Sequence, residues 1–177
     1  DQVKFRAFPI KRLYSSFLNK TIDFKFPDNP KWKPEVKKQH TITYSKPIYK
    51  TSDISIRLKK TLLKDVKTIG ILRGYTPRPF LQKINNNEMK LTEVGSISAL
   101  AGLLFKRRVD LIYINKSMFL SIKPDLNLID TSSYEPMIDT EYFLSTIKHP
   151  DIIKKFDDYI KEESGHIINL INDLKSK

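Results

Sequence analysis

Apolar and polar residues alternate with two periods along this chain, and the switches between them mark its elements. Val3-Lys4-Phe5-Arg6-Ala7-Phe8 and Ile22-Asp23-Phe24-Lys25-Phe26 alternate every second residue, which predicts two strands. Between them, Ile10, Leu13, Tyr14, Phe17 and Leu18 fall on one face of a helix that Pro9 opens and Asn19 ends. A strand, a helix and a strand in succession imply a parallel pair with a right-handed crossover. Residues 27–34 carry three prolines and the only tryptophan, Trp32, and read as a loop just past a strand. Residues 41–45 form another strand, and a long extended segment runs through Ile48-Tyr49 to Ile54-Ser-Ile-Arg-Leu58.

The stretch Thr68–Phe80 reads as a strand, a tight turn and the first turn of a helix. Ile69, Ile71 and Leu72 supply the strand, and Gly74 allows the bend. Thr76 is placed as N-cap and Pro77 at the first helical position. Such a helix start exposes N–H donors and can hold an anion, with Arg73 and Arg78 adding cations nearby. The units that follow are regular. They are a helix to residue 85, a strand at Lys90–Val94, and a helix capped by Ser96 whose last turn holds Lys106, Arg107 and Arg108. A buried-type strand at Val109–Ile114 ends at Asn115. Residues 126–129 and 141–144 are further strands, Pro150 opens a helix to about Glu163, Gly165 stops it, and residues 167–174 form a last amphipathic helix.

The chain has 177 residues, enough for one domain or two small lobes, and no cysteine. No run of apolar residues approaches the roughly 18–20 needed for a membrane span, and no signal peptide is present in this chain. The net charge of +12 is uneven. Residues 1–60 hold 15 Lys/Arg against 5 Asp/Glu, residues 61–125 hold 11 against 5, and residues 126–177 hold 6 against 10. The lysines are scattered through strands and loops, without an RNA-binding aromatic motif or zinc-finger spacing, so a solvated basic surface is favoured over a nucleic-acid partner. Chemistry-bearing motifs are few. His40, His149 and His166 lie in different segments without ligand spacing, Asp23 and Asp110 are not paired, and no Walker, dinucleotide or Gly-x-Ser-x-Gly signature occurs. An enzyme, a metal and a cofactor are therefore not expected.

Several stretches, taken in order, carry a resemblance. They are Pro9-Ile-Lys-Arg12 with Thr21-Ile-Asp23, Ile42-Thr-Tyr-Ser-Lys-Pro-Ile-Tyr49, Ile69-Gly-Ile-Leu-Arg-Gly-Tyr-Thr76, Leu104-Phe-Lys-Arg-Arg-Val-Asp110, and Lys148-His-Pro-Asp151 with Phe156. Together the chain resembles a divergent member of the periplasmic solute-binding proteins of the polar-amino-acid ABC transporter type. That family has a two-lobed α/β type II periplasmic-binding fold. The resemblance implies a first lobe of residues 1–58 and 147–177 lacking its first strand and helix, with earlier residues missing or a partner chain filling the slot. It implies a second lobe of residues 59–146 and hinge crossings near 49–58 and 141–147. Ligand contacts are implied at Gly74, Tyr75 and Thr76, on the 27–29 loop with Asp28, at Trp32 and at Asn115. The family's carboxylate for a ligand ammonium falls on neutral Asn115, and its ligand-clamping arginine falls near Lys38, so a free amino acid is not the expected ligand. The implied function is capture of a small polar or anionic solute by lobe closure, outside the cytoplasm, for a membrane permease or sensor, by a monomer unless a partner chain completes the first lobe. A ligand-sensing regulatory module and a basic nucleic-acid-binding domain are the alternatives.

Overall fold

A computed structural model describes residues 3–132, 138–163 and 165. Its contacts divide the chain into two compact units, one drawn from residues 1–12 and 51–140, the other from residues 13–50 and 141–177. The expected helix of residues 167–174 lies outside the described residues.

The chain opens without a strand. Residues 3–9 are irregular, with Val3 74% and Phe5 94% exposed. The alternation there defines an apolar face, but a strand also needs a neighbouring edge to satisfy its backbone, and none pairs with it among the described residues. The helix α1 (Ile10–Leu18) follows as its spacing predicts, burying Tyr14 and Phe17. The strand β1 (Phe24–Asp28) then pairs antiparallel with a distant strand, Phe24 opposite Thr146. The expected parallel strand–helix–strand unit is therefore not formed, because its first strand is missing. The proline-rich loop holds a short helix α2 (Pro34–Lys37), started by Pro34 after Lys33 turns left-handed at φ 48°. A two-residue strand β2 (Thr43–Tyr44) and the long β3 (Tyr49–Leu58) come next.

The unit of residues 51–140 is built on a mixed sheet. It contains β4 (Thr68–Leu72), a 3-10 turn and α3 (Leu81–Asn85), β5 (Lys90–Val94), α4 (Ile97–Phe105), β6 (Leu111–Asn115), α5 (Lys116–Leu120) and β7 (Ile129–Asp130). β4 runs parallel to β5 on one side and to β6 on the other. β6 runs antiparallel to β3, and β3 pairs antiparallel with β7 on its other edge. Every residue of β6 is buried, as expected of a strand covered on both faces. Ile56, Leu100, Leu104, Ile112 and Ile114 are core residues on one side. Ile69, Ile71, Phe80 and Leu111 form a second cluster. Gly70 sits in a tight position, where a Cβ would lie 3.0 Å from Leu100 Cδ1 and that side chain would have to give way. Ser96 caps α4, accepting a hydrogen bond from the Ala99 N–H at 3.1 Å.

Two local expectations are corrected here. Thr76 and Pro77 do not begin a helix: Pro77 precedes a 3-10 turn at Arg78–Phe80, and α3 starts only at Leu81. The cations Lys106, Arg107 and Arg108 lie past α4 rather than in its last turn, where Arg107 turns left-handed at φ 54°. The helix α5 is unexpected, since its five residues follow a strand without a break, although Asn115 is a favourable N-cap for it. β8 (Ile138–Thr146) begins in the unit of residues 51–140 and runs on into the other, where it is flanked by β1 and by β2, both antiparallel, and α6 (Pro150–Glu162) follows.

Candidate ligand-binding residues

In the unit of residues 51–140, the turn after β4 and the ends of β3 and β6 bring three polar side chains together, those of Tyr75, Asp53 and Asn115. Asp53 of β3 lies directly opposite Asn115 of β6 in the strand register. Asp53 Oδ1 accepts a hydrogen bond from the Tyr75 hydroxyl at 2.6 Å and one from Asn115 Nδ2 at 3.3 Å. Thr140 also hydrogen-bonds this carboxyl. Burial pushes the Asp53 carboxyl above its ordinary range, while Tyr75, Asn115 and the charge of Arg78 pull the other way. Tyr113 packs edge-on to Tyr75 at 6.0 Å, and burial, aided by the Asp53 charge, raises its phenol.

Asn115 is 1% exposed and works in two directions. Its Oδ1 caps α5, accepting from the Ser117 and Met118 N–H groups at 3.1 and 3.3 Å. Its Nδ2 reaches Thr51 Oγ1 at 3.0 Å as well as Asp53. A carboxylate at this position would keep the cap but lose the donor, and would face Asp53 with a like charge. The neutral residue at 115 is thus matched to an acidic one on the neighbouring strand.

The expected anion cradle at residues 74–76 is laid out differently. Gly74 stands at φ +89°, and a Cβ there would lie 3.1 Å from Lys11 Cγ. Its N–H donates to the Glu93 carboxylate at 3.1 Å, and the Tyr75 N–H donates to the Leu72 carbonyl at 2.8 Å. Thr76 and Arg73 are exposed, and the Arg73 N–H is tied to the Val94 carbonyl at 2.8 Å. Arg78 is half-buried.

The unit of residues 13–50 and 141–177 holds the other predicted positions. Asp28 is fully buried, and both of its oxygens are occupied. Oδ1 accepts from Lys25 Nζ and Lys37 Nζ, both at 2.6 Å, and from the Asn29 N–H at 2.8 Å, while Oδ2 accepts from Ser145 Oγ at 2.6 Å. Two ammonium groups therefore share one carboxylate. Desolvation brings Lys25 down from 10.5 to about 8, against the attraction of Asp28, and lowers Lys37 as well. Tyr14 roofs the cluster, with Lys25 Nζ 4.0 Å from its ring centre. Lys37 also holds the Asn29 carbonyl at 2.8 Å, and Asn29 Nδ2 holds the Glu141 carbonyl at 2.8 Å. Trp32, at the tip of this fixed loop, is half-buried, edge-on to Tyr142 at 5.6 Å, and Tyr142 also touches Phe26 and Tyr49. Trp32 thus belongs to a partly exposed aromatic group.

The structure brings Tyr75 and Asn115 together around Asp53, which the sequence reading did not single out. It puts Asp28 and Trp32 on one anchored loop, supported by Lys25 and Lys37. An acid on the buried side of a strand was the available signal for Asp53. Lys25 carried the corresponding signal on β1. Among the described residues no cluster of His, Asp and Glu is suited to a metal ion, and no helix is long and apolar enough to cross a membrane.

No family model matches the sequence, and no curated protein matches it. Solved structures do match. A substrate-binding protein of an amino acid ABC transporter superposes with TM-score 0.76 at 16% identity, over 98% of this chain and 80% of that one. An arginine transport-system periplasmic binding protein from Legionella pneumophila gives TM-score 0.71 at 16% identity, over 96% and 79%. An ABC uptake transporter substrate-binding protein from Streptococcus pneumoniae, with bound histidine, gives 0.70 at 14%, over 92% and 71%. The chain has the type II periplasmic-binding fold that these proteins share.

Proposed function

We propose that this chain, sharing its fold with amino-acid transport receptors, is an extracytoplasmic solute-binding protein that delivers a small polar solute to an ABC-type permease. Its work on this reading is binding without chemistry, by a monomer. The observation that carries the reading is the Asp53 carboxylate, buried against its own electrostatic preference and aimed by Tyr75 and Asn115. A fold that tolerates a desolvated acid forgoes stability there, and such groups concentrate where a ligand is recognised. The solute presents a donor to Asp53, an ammonium or a hydroxyl, and an acidic or polar end near Arg78 and Thr76. With Gly74 already bonded to Glu93, this corner favours a solute with a cationic or donor group over a purely anionic one. Asp28 serves the site indirectly, by fixing the loop that carries Trp32.

A thermal-shift screen against amino acids, amines, organic acids, sugars and short peptides tests this. A true ligand stabilises by about 3 kcal/mol at about a hundredfold excess over its Kd. Asp53→Asn should abolish the shift while leaving the free protein folded, and Tyr75→Phe should weaken it. If no solute raises the melting temperature of the parent protein, or if Asp53→Asn responds like the parent, the reading fails.

A further inference from the structure

The candidate ligand residues lie at one end of the sheet of residues 51–140, and the opposite end has a distinct composition. Strand direction fixes which residues meet there. β4, β5 and β6 all begin at that end, and β3 finishes at it, since Arg57 lies opposite Leu111. The β3–β4 connection therefore sits at this pole with Lys59, Lys60, Lys64 and Lys67, all exposed. α4 returns to the same end and leaves Lys106, Arg107 and Arg108 exposed in front of β6. The segment entering β7 joins them, its Leu128 carbonyl accepting from the Lys59 N–H at 3.0 Å.

Large apolar side chains stand out from the same loops. Leu62 is 56% and Leu63 45% exposed at the tip of the β3–β4 connection, Leu126 is 56% and Leu128 51% exposed beside it, and Phe105 is 36% exposed next to Lys106. Single exposed leucines need no explanation, but several on neighbouring loops ringed by cations do. The acids nearby offset the charge only in part. Asp65 and Asp125 are exposed, and Glu88 bonds Asn86 at 2.9 Å. Asp110 is turned onto the backbone N–H groups of Lys67 and Thr68 at 3.1 and 2.9 Å.

We propose that this pole docks on an anionic phospholipid surface, with the cations at the headgroups and the loop leucines entering the acyl boundary. Nucleic acid would take the lysines and arginines but offers nothing to aliphatic tips, and an acidic protein would not need them at loop apices. A lipid interface uses both, since basic residues are drawn to its surface charge and apolar ones are buried beneath it. Docking at this pole leaves Asp53, Tyr75 and Asn115, at the far ends of β3 and β6, uncovered by lipid, so the lipid-bound form is a holding state and delivery to a permease follows release from it. The proposal does not depend on which solute they hold.

Co-sedimentation with vesicles decides it. The parent chain should pellet with phosphatidylglycerol–phosphatidylcholine vesicles at low salt and stay in solution with pure phosphatidylcholine. Replacing Lys106, Arg107 and Arg108 together by Glu should cut partitioning by roughly a hundredfold or more, at about fivefold per lost cation. Leu62→Ser with Leu63→Ser should leave a weaker attachment that added salt abolishes. A charge-matched control on α6, Lys154→Glu with Lys155→Glu and Lys161→Glu, should retain binding, and the melting temperatures confirm that each variant is folded. The proposal is overturned if the parent ignores anionic vesicles or if the α6 control loses binding as fully as the 106–108 variant. It is also overturned if the leucine pair has no effect while duplex DNA binds with the same dependence on residues 106–108.

Discussion

Lys25→Met isolates the cost of burying an ammonium group under Tyr14. Lys25 is 1% exposed, 2.6 Å from Asp28 Oδ1 and within 4.0 Å of the Tyr14 ring centre. The folded protein brings its amine from 10.5 down to about 8, so between those values the unfolded chain binds more protons than the native one. Stability must therefore rise with pH across that window, and below about 8, where both states are protonated, the cost is constant. The interval corresponds to about 3 kcal/mol. Lys37 titrates in the same sense, while the raised phenols of Tyr44 and Tyr113 act oppositely above about 10, where unfolded tyrosine ionises first. The Tyr113 contribution is shared by parent and variant and cancels in the difference, while Lys37, left alone on Asp28 in the variant, loses the repulsion of Lys25 and so adds to the parent's gain with pH. Met fills a similar volume, and Asp28 keeps Lys37, Ser145 and the Asn29 N–H. Guanidinium melts followed by Trp32 emission and far-ultraviolet circular dichroism, at steps from pH 7 to 10, supply the comparison. The parent should gain up to about 3 kcal/mol on the variant as pH rises. Parallel stability curves would show that desolvation does not govern this amine, and the account of the Asp28 cluster would be wrong.

Two further substitutions follow from the geometry. Asn115→Asp keeps the α5 cap but removes the donor to Asp53 and sets two carboxylates in register; it should cost about 1–3 kcal/mol at neutral pH and recover as pH falls and the pair takes up a proton, which melts at neutral and acidic pH would register. Gly74→Ala forces a Cβ to φ +89° and to 3.1 Å from Lys11 Cγ, so a loss of about 1–3 kcal/mol is expected from chemical denaturation, and an unchanged midpoint would contradict the turn geometry.

Much of the fold was legible because periodicity records burial. β6 is apolar up to its last residue, Asn115, and is buried throughout, and the Ser96 cap and the Pro150 helix start hold as read. The failures have physical causes. Val3–Phe8 alternates, but alternation says nothing about whether an edge is available to pair with. Thr76-Pro77 is a favourable helix opening that tertiary structure spends on an extended turn before the 3-10 segment. At the site, Tyr75 and Asn115 are named through the family resemblance rather than from periodicity. Asp53 carries the local signal of an acid within a buried strand, but its pairing does not show, because it faces Asn115 across a register that joins residues far apart in the chain.

The compact units meet the chain at residues 12–13, 50–51 and 140–141, and each junction falls inside a regular element: α1, β3 and β8. No contiguous stretch of the sequence encodes either unit, and a cut at any of the three junctions severs a helix or a strand that the two units share. Recombination between relatives at these points would break hydrogen-bonded ladders rather than exchange modules. The units are therefore expected to be inherited together, and an engineer grafting a new binding face has to change side chains in place rather than swap a domain.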